Sequence, residues 1–470
     1  MPDDAPQAIG VLSRGLSDLI HGDEGADIVS VETYALAVPL ARPIADATVA
    51  MDHWTVPVVE IRTRDGRVGT GISGVHAGPE LLCSIIDDYY APTLLGASSE
   101  DILGTWNRLY WLPTHWIGRA GPVHMALGMV DIALWDLAAQ RADVPLWRLL
   151  GGAADPIEAY NTDAGWLNAP VDELIRGLTG LLDQGWRRVK VKVGMPDWRE
   201  DVARVRAVRS ALGDDVTLMC DANQRWDLST ANRIMPVLEE ARMDWVEEPL
   251  HADDLNGHVT VQRSTSLDIA AGESIYSYQQ FNSFIAHDAI RVVQPDATRL
   301  GGVTEWLQVT RLAAARGLRV APHAGDMMQL HQHLVGVGLS AAPPLVEFIP
   351  WTQDAYADAA SSARDTSSAR KPPAPPPPST PGPATTGSSA ASAPCAPDSH
   401  LGCPRRTFRL LRVPLPPARV PRVPGVDNFA LRRRHRCATV LIDAETDERI
   451  EVLPDRSTDT SRRGCASTPG

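Results

Sequence analysis

The sequence predicts an α/β protein, a (β/α) barrel preceded by a separate α+β unit, and three observations carry that prediction. After Gly152, eight short apolar runs alternate with stretches of helical periodicity; they lie near 157–161, 188–193, 216–221, 243–247, 267–271, 290–294, 318–322 and 345–349. A strand, a helix and two short loops need roughly 25 residues, and eight parallel strands at that period indicate a barrel rather than an open sheet. Before Gly152 the order is strands first and helices afterwards, the texture of an independent α+β unit. Finally, Asp221, Glu247 and Glu273 fall 26 residues apart, each at the end of a predicted strand.

The elements follow in order. Residues 1–28 read as an N-terminal extension. Residues 29–37 and 57–63 alternate as strands, with Asp65-Gly66 supplying a turn. From Pro79 to Leu150 the pattern is largely helical, most clearly from Met125 to Ala138, and Gly151-Gly152 closes it, giving an α+β domain over 29–152. The barrel is assigned to 153–354. Its helices show spacings such as Val202, Val205, Val208 and Leu212, stopped by Gly213.

Residues 355–470 do not match the body. From Lys371 to Pro397, ten of 27 residues are proline, too little apolar surface to offset the chain entropy. The tail carries a net charge of +6, against −20 for residues 1–355, and holds four of the six cysteines. It reads as a disordered Pro/Arg-rich extension, or as translation out of frame from near Asp354; the composition favours the second.

At 470 residues, 44% hydrophobic and 22% charged, the chain can bury a large core. A net charge of −14 argues against nucleic acid or an anionic membrane as partner. No uninterrupted apolar run reaches the roughly 18 residues of a membrane span, and the start lacks the basic stretch of a secretory signal. No cysteines form a CxxC pair. A cytoplasmic protein is expected.

The chain contains only three lysines, Lys190, Lys192 and Lys371; every other basic residue except histidine is arginine. Two of the three stand in Val189-Lys190-Val191-Lys192-Val193, where alternation puts both on one strand face. Lysine can serve as a base once its pKa is lowered, and arginine cannot. The three phased acids would repel one another at a barrel mouth unless a cation joined them. Oxygen-only ligation with open positions suits Mg²⁺; singly each acid reads more readily as a helix N-cap, and the equal spacing of the three in phase with the strands reverses that reading. Strand six ends in Asp296 and strand seven in His323, a pair in which the carboxylate can fix the imidazole tautomer. Glu347 on strand eight is flanked by apolar residues, so burial is expected to keep it protonated as a hydrogen-bond donor. This layout suits removal of a proton α to a carboxylate.

On Val189-Lys190-Val191-Lys192-Val193-Gly194, Asp221-Ala222-Asn223, Val246-Glu247-Glu248-Pro249-Leu250, Ala271-Gly272-Glu273, Gln294-Pro295-Asp296, Gly301-Gly302, Ala321-Pro322-His323 and Val346-Glu347-Phe348, the sequence resembles the mandelate racemase subgroup of the enolase superfamily over residues 29–353. The resemblance implies a modified (β/α)₇β barrel of TIM type under an N-terminal capping domain. It implies Lys192 as one general base tuned by Lys190, and His323, oriented by Asp296, as base or acid on the opposite face. It implies one Mg²⁺ per subunit on Asp221, Glu247 and Glu273, with Glu347 hydrogen-bonding an enediolate. The muconate-lactonising subgroup places a lysine near strand six, and no lysine occurs here between 193 and 370.

Glu247 to His258 is similar to the corresponding stretch of galactarate/talarate-type acid-sugar dehydratases. The implied activity is a hydro-lyase reaction giving a 2-keto-3-deoxy acid from a small acid sugar, in a homo-oligomer such as an octamer. A racemase, epimerase or cycloisomerase would use the same two bases. The choice is expected to rest with residues 40–56, read as a capping loop, and with His331 or His333. An enzyme inactivated by its altered C-terminus is a further reading, and an inert scaffold would lack Mg²⁺ affinity.

Overall fold

The computed structural model describes residues 24–350, apart from 76, 154–156, 324–327, 338, 339 and 341, together with three strands beyond residue 423. The first sheet is antiparallel, in the order β1 (Ile28–Ala45), β2 (Ala50–Thr63), β3 (Val68–Ile72). β1 and β2 are far longer than 29–37 and 57–63, so the stretch 40–56 is a paired hairpin rather than a loop. Its turn is built by Asp46, whose Oδ1 accepts from Thr48 N at 2.6 Å and Val49 N at 2.9 Å. That is the local side-chain capping aspartate favours in turns.

Helix Pro122–Ala142 explains how this domain meets the barrel. It begins with proline at its first position and ends at Asp143 in the left-handed region (φ 55°). One side packs on the sheet: Asp136 accepts from Thr70 N at 2.9 Å, and Gln140 donates to Val68 O at 2.8 Å. Another side meets the barrel, where Trp135 Nε1 donates to Thr304 Oγ1 at 3.0 Å. A helix enclosed on several faces is apolar all round. This one is long and apolar enough to cross a membrane, but 83% of its apolar window is buried inside the fold.

Eight parallel strands follow, one at each apolar run: β4 (Glu158–Asn161), β5 (Arg188–Lys192), β6 (Thr217–Asp221), β7 (Met243–Glu247), β8 (Asp268–Ala271), β9 (Val292–Val293), β10 (Arg319–Val320) and β11 (Leu345–Phe348). The hydrogen-bonded order is β10-β9-β8-β7-β6-β5-β4-β11, a nearly closed barrel. Side chains alternate as period two requires. Val189 and Val191 join the outer core under the helices, while Tyr160, Met219, Trp245, Ala270, Val292, Ala321 and Leu345 fill the barrel. Trp245 and Tyr160 meet edge to face, ring centroids 5.2 Å apart.

The second unit is a three-stranded antiparallel sheet of β12 (Pro424–Asp427), β13 (Thr439–Asp443) and β14 (Arg449–Leu453). It lies within the tail expected to lack structure. The rest of that expectation, the proposed frame change and residues 1–23 of the N-terminal extension lie outside the described residues.

Candidate active site

Parallel register brings the acids together. Lys192 pairs with Asp221 across β5 and β6, and Asp221 with Glu247 across β6 and β7. Glu273 lies two residues beyond β8. Oxygen atoms from Asp221, Glu247 and Glu273 all lie within 4.8 Å of one another. Asp221 and Glu247 are fully buried, and among the described residues Glu247 Oε1 has no hydrogen-bond donor. A polar oxygen left bare in a protein interior is costly, and an all-oxygen triad with a bare atom fits a hard divalent cation.

Both lysines reach these acids from one side. Lys190 Nζ lies 2.8 Å from Glu247 Oε2, 2.8 Å from Glu347 Oε1 and 3.9 Å from Asp221 Oδ2. Lys192 Nζ donates to Asp221 Oδ2 at 2.5 Å, with the Trp166 ring 5.4 Å away. On the opposite side, His323 Nδ1 lies 2.8 Å from Asp296 Oδ2 and its Nε2 3.4 Å from Glu273 Oε2. All eight expected residues thus occupy one continuous constellation at the C-terminal end of the barrel.

Two ionisation states differ from expectation. Burial pushes Glu347 up, but Lys190 and His323, with hydrogen bonds from Lys190 and from Thr162 Oγ1 at 2.6 Å, pull it to about 2. Glu347 is therefore an acceptor here, not a protonated donor. Burial would lower Lys192, yet the Asp221 carboxylate beside it outweighs burial and holds it above the usual lysine range. Lys190 is raised in the same way by Glu247 and Glu347. His323 is pushed down by burial and up by Glu273 and Asp296, reaching about 9, so it is a cation at neutral pH. Burial raises Asp221 to about 7, with Glu247 adding to the rise and the lysines opposing it.

Further residues surround these groups. Gln294 Nε2 donates to Glu247 Oε2 at 2.8 Å. The Arg299 guanidinium lies 3.9 Å from both Glu273 and Asp296; its three-residue spacing from Asp296 was a usable signal. Gln224 Nε2 donates to Glu248 Oε2 at 3.1 Å and Ser274 Oγ at 2.8 Å, tying together the loops that follow all three acids. The hairpin tip docks here too: Leu167 N donates to Ala45 O at 2.9 Å, and Asn168 bonds Ala45 N and Pro43 O. His331 Nε2 accepts from Ala297 N at 3.0 Å, behind Asp296. His333 Nδ1 accepts from Trp147 N at 3.4 Å, away from the constellation.

Residues 28–151 match the family described as mandelate racemase / muconate lactonizing enzyme, N-terminal domain, and residues 173–376 match enolase C-terminal domain-like. The chain is 38% identical over 323 residues to L-talarate/galactarate dehydratase from Salmonella typhimurium, covering 67% of this chain and 78% of that enzyme. It is 35% identical over 306 residues to 3,6-anhydro-alpha-L-galactonate cycloisomerase from Streptomyces coelicolor, covering 65% of this chain and 84% of that one. Among solved structures it is similar to L-talarate dehydratase from Polaromonas sp. JS666 complexed with Mg and L-glucarate. There the identity is 37%, the TM-score is 0.66, and coverage is 71% of this chain and 89% of the other. A racemase from Streptomyces coelicolor with bound magnesium is 34% identical, with a TM-score of 0.64, and coverage is 68% of this chain and 89% of that one.

Proposed function

The chain belongs to the mandelate racemase / muconate lactonizing enzyme family of the enolase superfamily, and from that membership we propose that it is a Mg²⁺-dependent acid-sugar dehydratase. The observation that carries the reading is the placement of a three-carboxylate site between a buried lysine pair and a His–Asp dyad. The substrate class follows the L-talarate/galactarate relative: a small mono- or diacid sugar.

Asp221, Glu247 and Glu273 would hold the cation, and Mg²⁺ bound there would supply positive charge that offsets the acidic field at Lys192 and neutralises the substrate carboxylate. Lys192, as the neutral amine after giving up its own proton, takes the C2 proton. Lys190, held between Glu247 and Glu347, supplies the cationic donor toward the enediolate on this side, and Glu347 keeps it in place. His323, a cation at neutral pH, gives its proton to the C3 hydroxyl as it leaves as water. The resulting enol rearranges to the 2-keto-3-deoxy acid. Asp296 holds the imidazole by its Nδ1, which leaves Nε2 on the Glu273 side for the transfer.

A group able to move a proton on each side also fits 1,1-proton transfer, and a racemase and a cycloisomerase stand among the similar proteins. The two sides can be tested separately. Lys192→Ala is expected to abolish α-proton loss to D₂O on one face of the substrate while His323→Ala abolishes water loss, both with circular dichroism spectra that show the fold intact. Near-normal turnover by Lys192→Ala overturns the assignment.

A further inference from the structure

The segment from Asp296 to Thr304 carries the dyad aspartate and Arg299, and it is held from outside the barrel. Ser73 Oγ donates to Thr298 O at 2.8 Å, and Trp106 Nε1 donates to Gly301 O at 2.7 Å. Trp135 Nε1 and Asp131 Oδ1 both bond Thr304 Oγ1, at 3.0 and 2.6 Å, and Asp131 Oδ2 accepts from Thr304 N at 2.9 Å. Val303 N bonds Asp131 as well. All four side chains belong to the N-terminal domain.

Helix Gly302–Ala315 begins in this segment, and the first N–H groups of a helix need acceptors from elsewhere. Its N-cap, Gly301, has no side chain to offer, so Asp131 caps it from the other domain. Gly302 sits at φ 83°, and a Cβ there would lie 2.4 Å from Asp131 Oδ2. A Cβ on Gly128 would lie 2.3 Å from Leu300 O and 2.9 Å from Gly302 N. The two backbones therefore touch with nothing between them, and the carboxylate fills the remaining space.

Thr304 lies only eight positions after Asp296. The Asp296 carboxylate takes Thr298 N and Oγ1 on one oxygen, at 2.8 and 2.7 Å, and His323 on the other. Thr298 is the residue whose carbonyl Ser73 holds. The lysine side meets the N-terminal domain differently, through the hairpin tip on the loop after β4.

We propose that Asp131 is a positioning residue for the His323 side of the site alone: by capping helix 302–315 across the domain boundary it sets the Asp296–Thr304 segment and hence the imidazole. The inference rests on the proposed role of His323.

The test uses the full chain with Mg²⁺ and the variants Asp131→Asn, Thr304→Val and Thr304→Ser. Amide hydrogen exchange is followed by mass spectrometry over residues 294–304. Asp131→Asn and Thr304→Val are expected to speed exchange there about tenfold, with peptides across β5 and β6 unchanged, and Thr304→Ser, which keeps the hydroxyl, is expected to restore protection. Unaltered protection at 296–304 in the first two variants overturns the proposal. In parallel, α-proton exchange and water loss are measured on one acid-sugar substrate. Water loss, the His323 step, should fall about tenfold while α-proton exchange by Lys192 stays within about twofold. Equal losses in both make Asp131 merely structural and overturn the proposal. If the unmodified protein neither exchanges nor dehydrates the sugar, the proposed activity fails, and the hydrogen-exchange arm alone decides the role of Asp131.

Discussion

Lys190→Met tests the electrostatics of the site before any substrate is needed. The Lys190 ammonium lies 2.8 Å from Glu247 and from Glu347 and 3.9 Å from Asp221, and it is 1% exposed. At an effective dielectric near 20, each contact at that shorter distance is worth about 6 kcal/mol gross. Burying the ammonium offsets several kcal/mol of this. Removing one partner of such a buried cluster typically destabilises by about 3–5 kcal/mol, because the carboxylates are left facing one another. The variant should therefore lose about that much in urea unfolding measured in EDTA. A divalent cation on the triad neutralises the same carboxylates, so saturating Mg²⁺ should recover more stability in Lys190→Met than it adds to the unmodified protein. Equal Mg²⁺ stabilisation of the two proteins refutes the reasoning, as does a variant as stable as the parent in EDTA.

Other consequences are read from the same structure. Asp221→Ala is expected to remove the Mg²⁺ binding heat in calorimetry while leaving the circular dichroism spectrum unchanged. Asp136 is half-buried between Thr70 N and Gln140, and desolvation raises it from 3.8 to about 7. The folded state thus holds this proton more tightly than the unfolded chain, so its stabilisation is complete below pH 3.8 and is lost as pH rises through about 7. Asp136→Asn should flatten the fall in melting temperature between about pH 4 and pH 7, and an undiminished fall counts against it. Gly128→Ala forces a methyl onto Leu300 O and should cost about 1–3 kcal/mol in the urea midpoint.

The barrel was legible because two periods coincide. Apolar runs recur at the length of one βα unit, and Asp221, Glu247 and Glu273 keep step with them. A strand end is a fixed address in a parallel barrel, so acids in phase with it must converge. The lysines were legible for a compositional reason: in an arginine-rich chain two lysines on one strand face stand out. Ionisation states were not legible. Glu347 looks like a buried neutral acid among Val346, Phe348 and Ile349, but Lys190, far away in the chain, makes it a carboxylate. The hairpin at 40–56 was also missed, because Arg42, Pro43 and Asp46 interrupt the strand alternation, and pairing with β2 overrides that local signal. The cross-domain cap at Asp131 leaves no mark at all in sequence spacing, since its partner Thr304 is 173 residues away.

The central claim is that the lysine pair, the acid triad and the His–Asp dyad together remove an α-proton and a β-hydroxyl from an acid sugar. Proton NMR in D₂O with Mg²⁺, run on a panel of mono- and diacid sugars, tests it most directly. The account predicts loss of the C2 proton signal together with appearance of a 2-keto-3-deoxy acid for at least one sugar. A protein that binds Mg²⁺ yet neither exchanges nor dehydrates any member of the panel contradicts it.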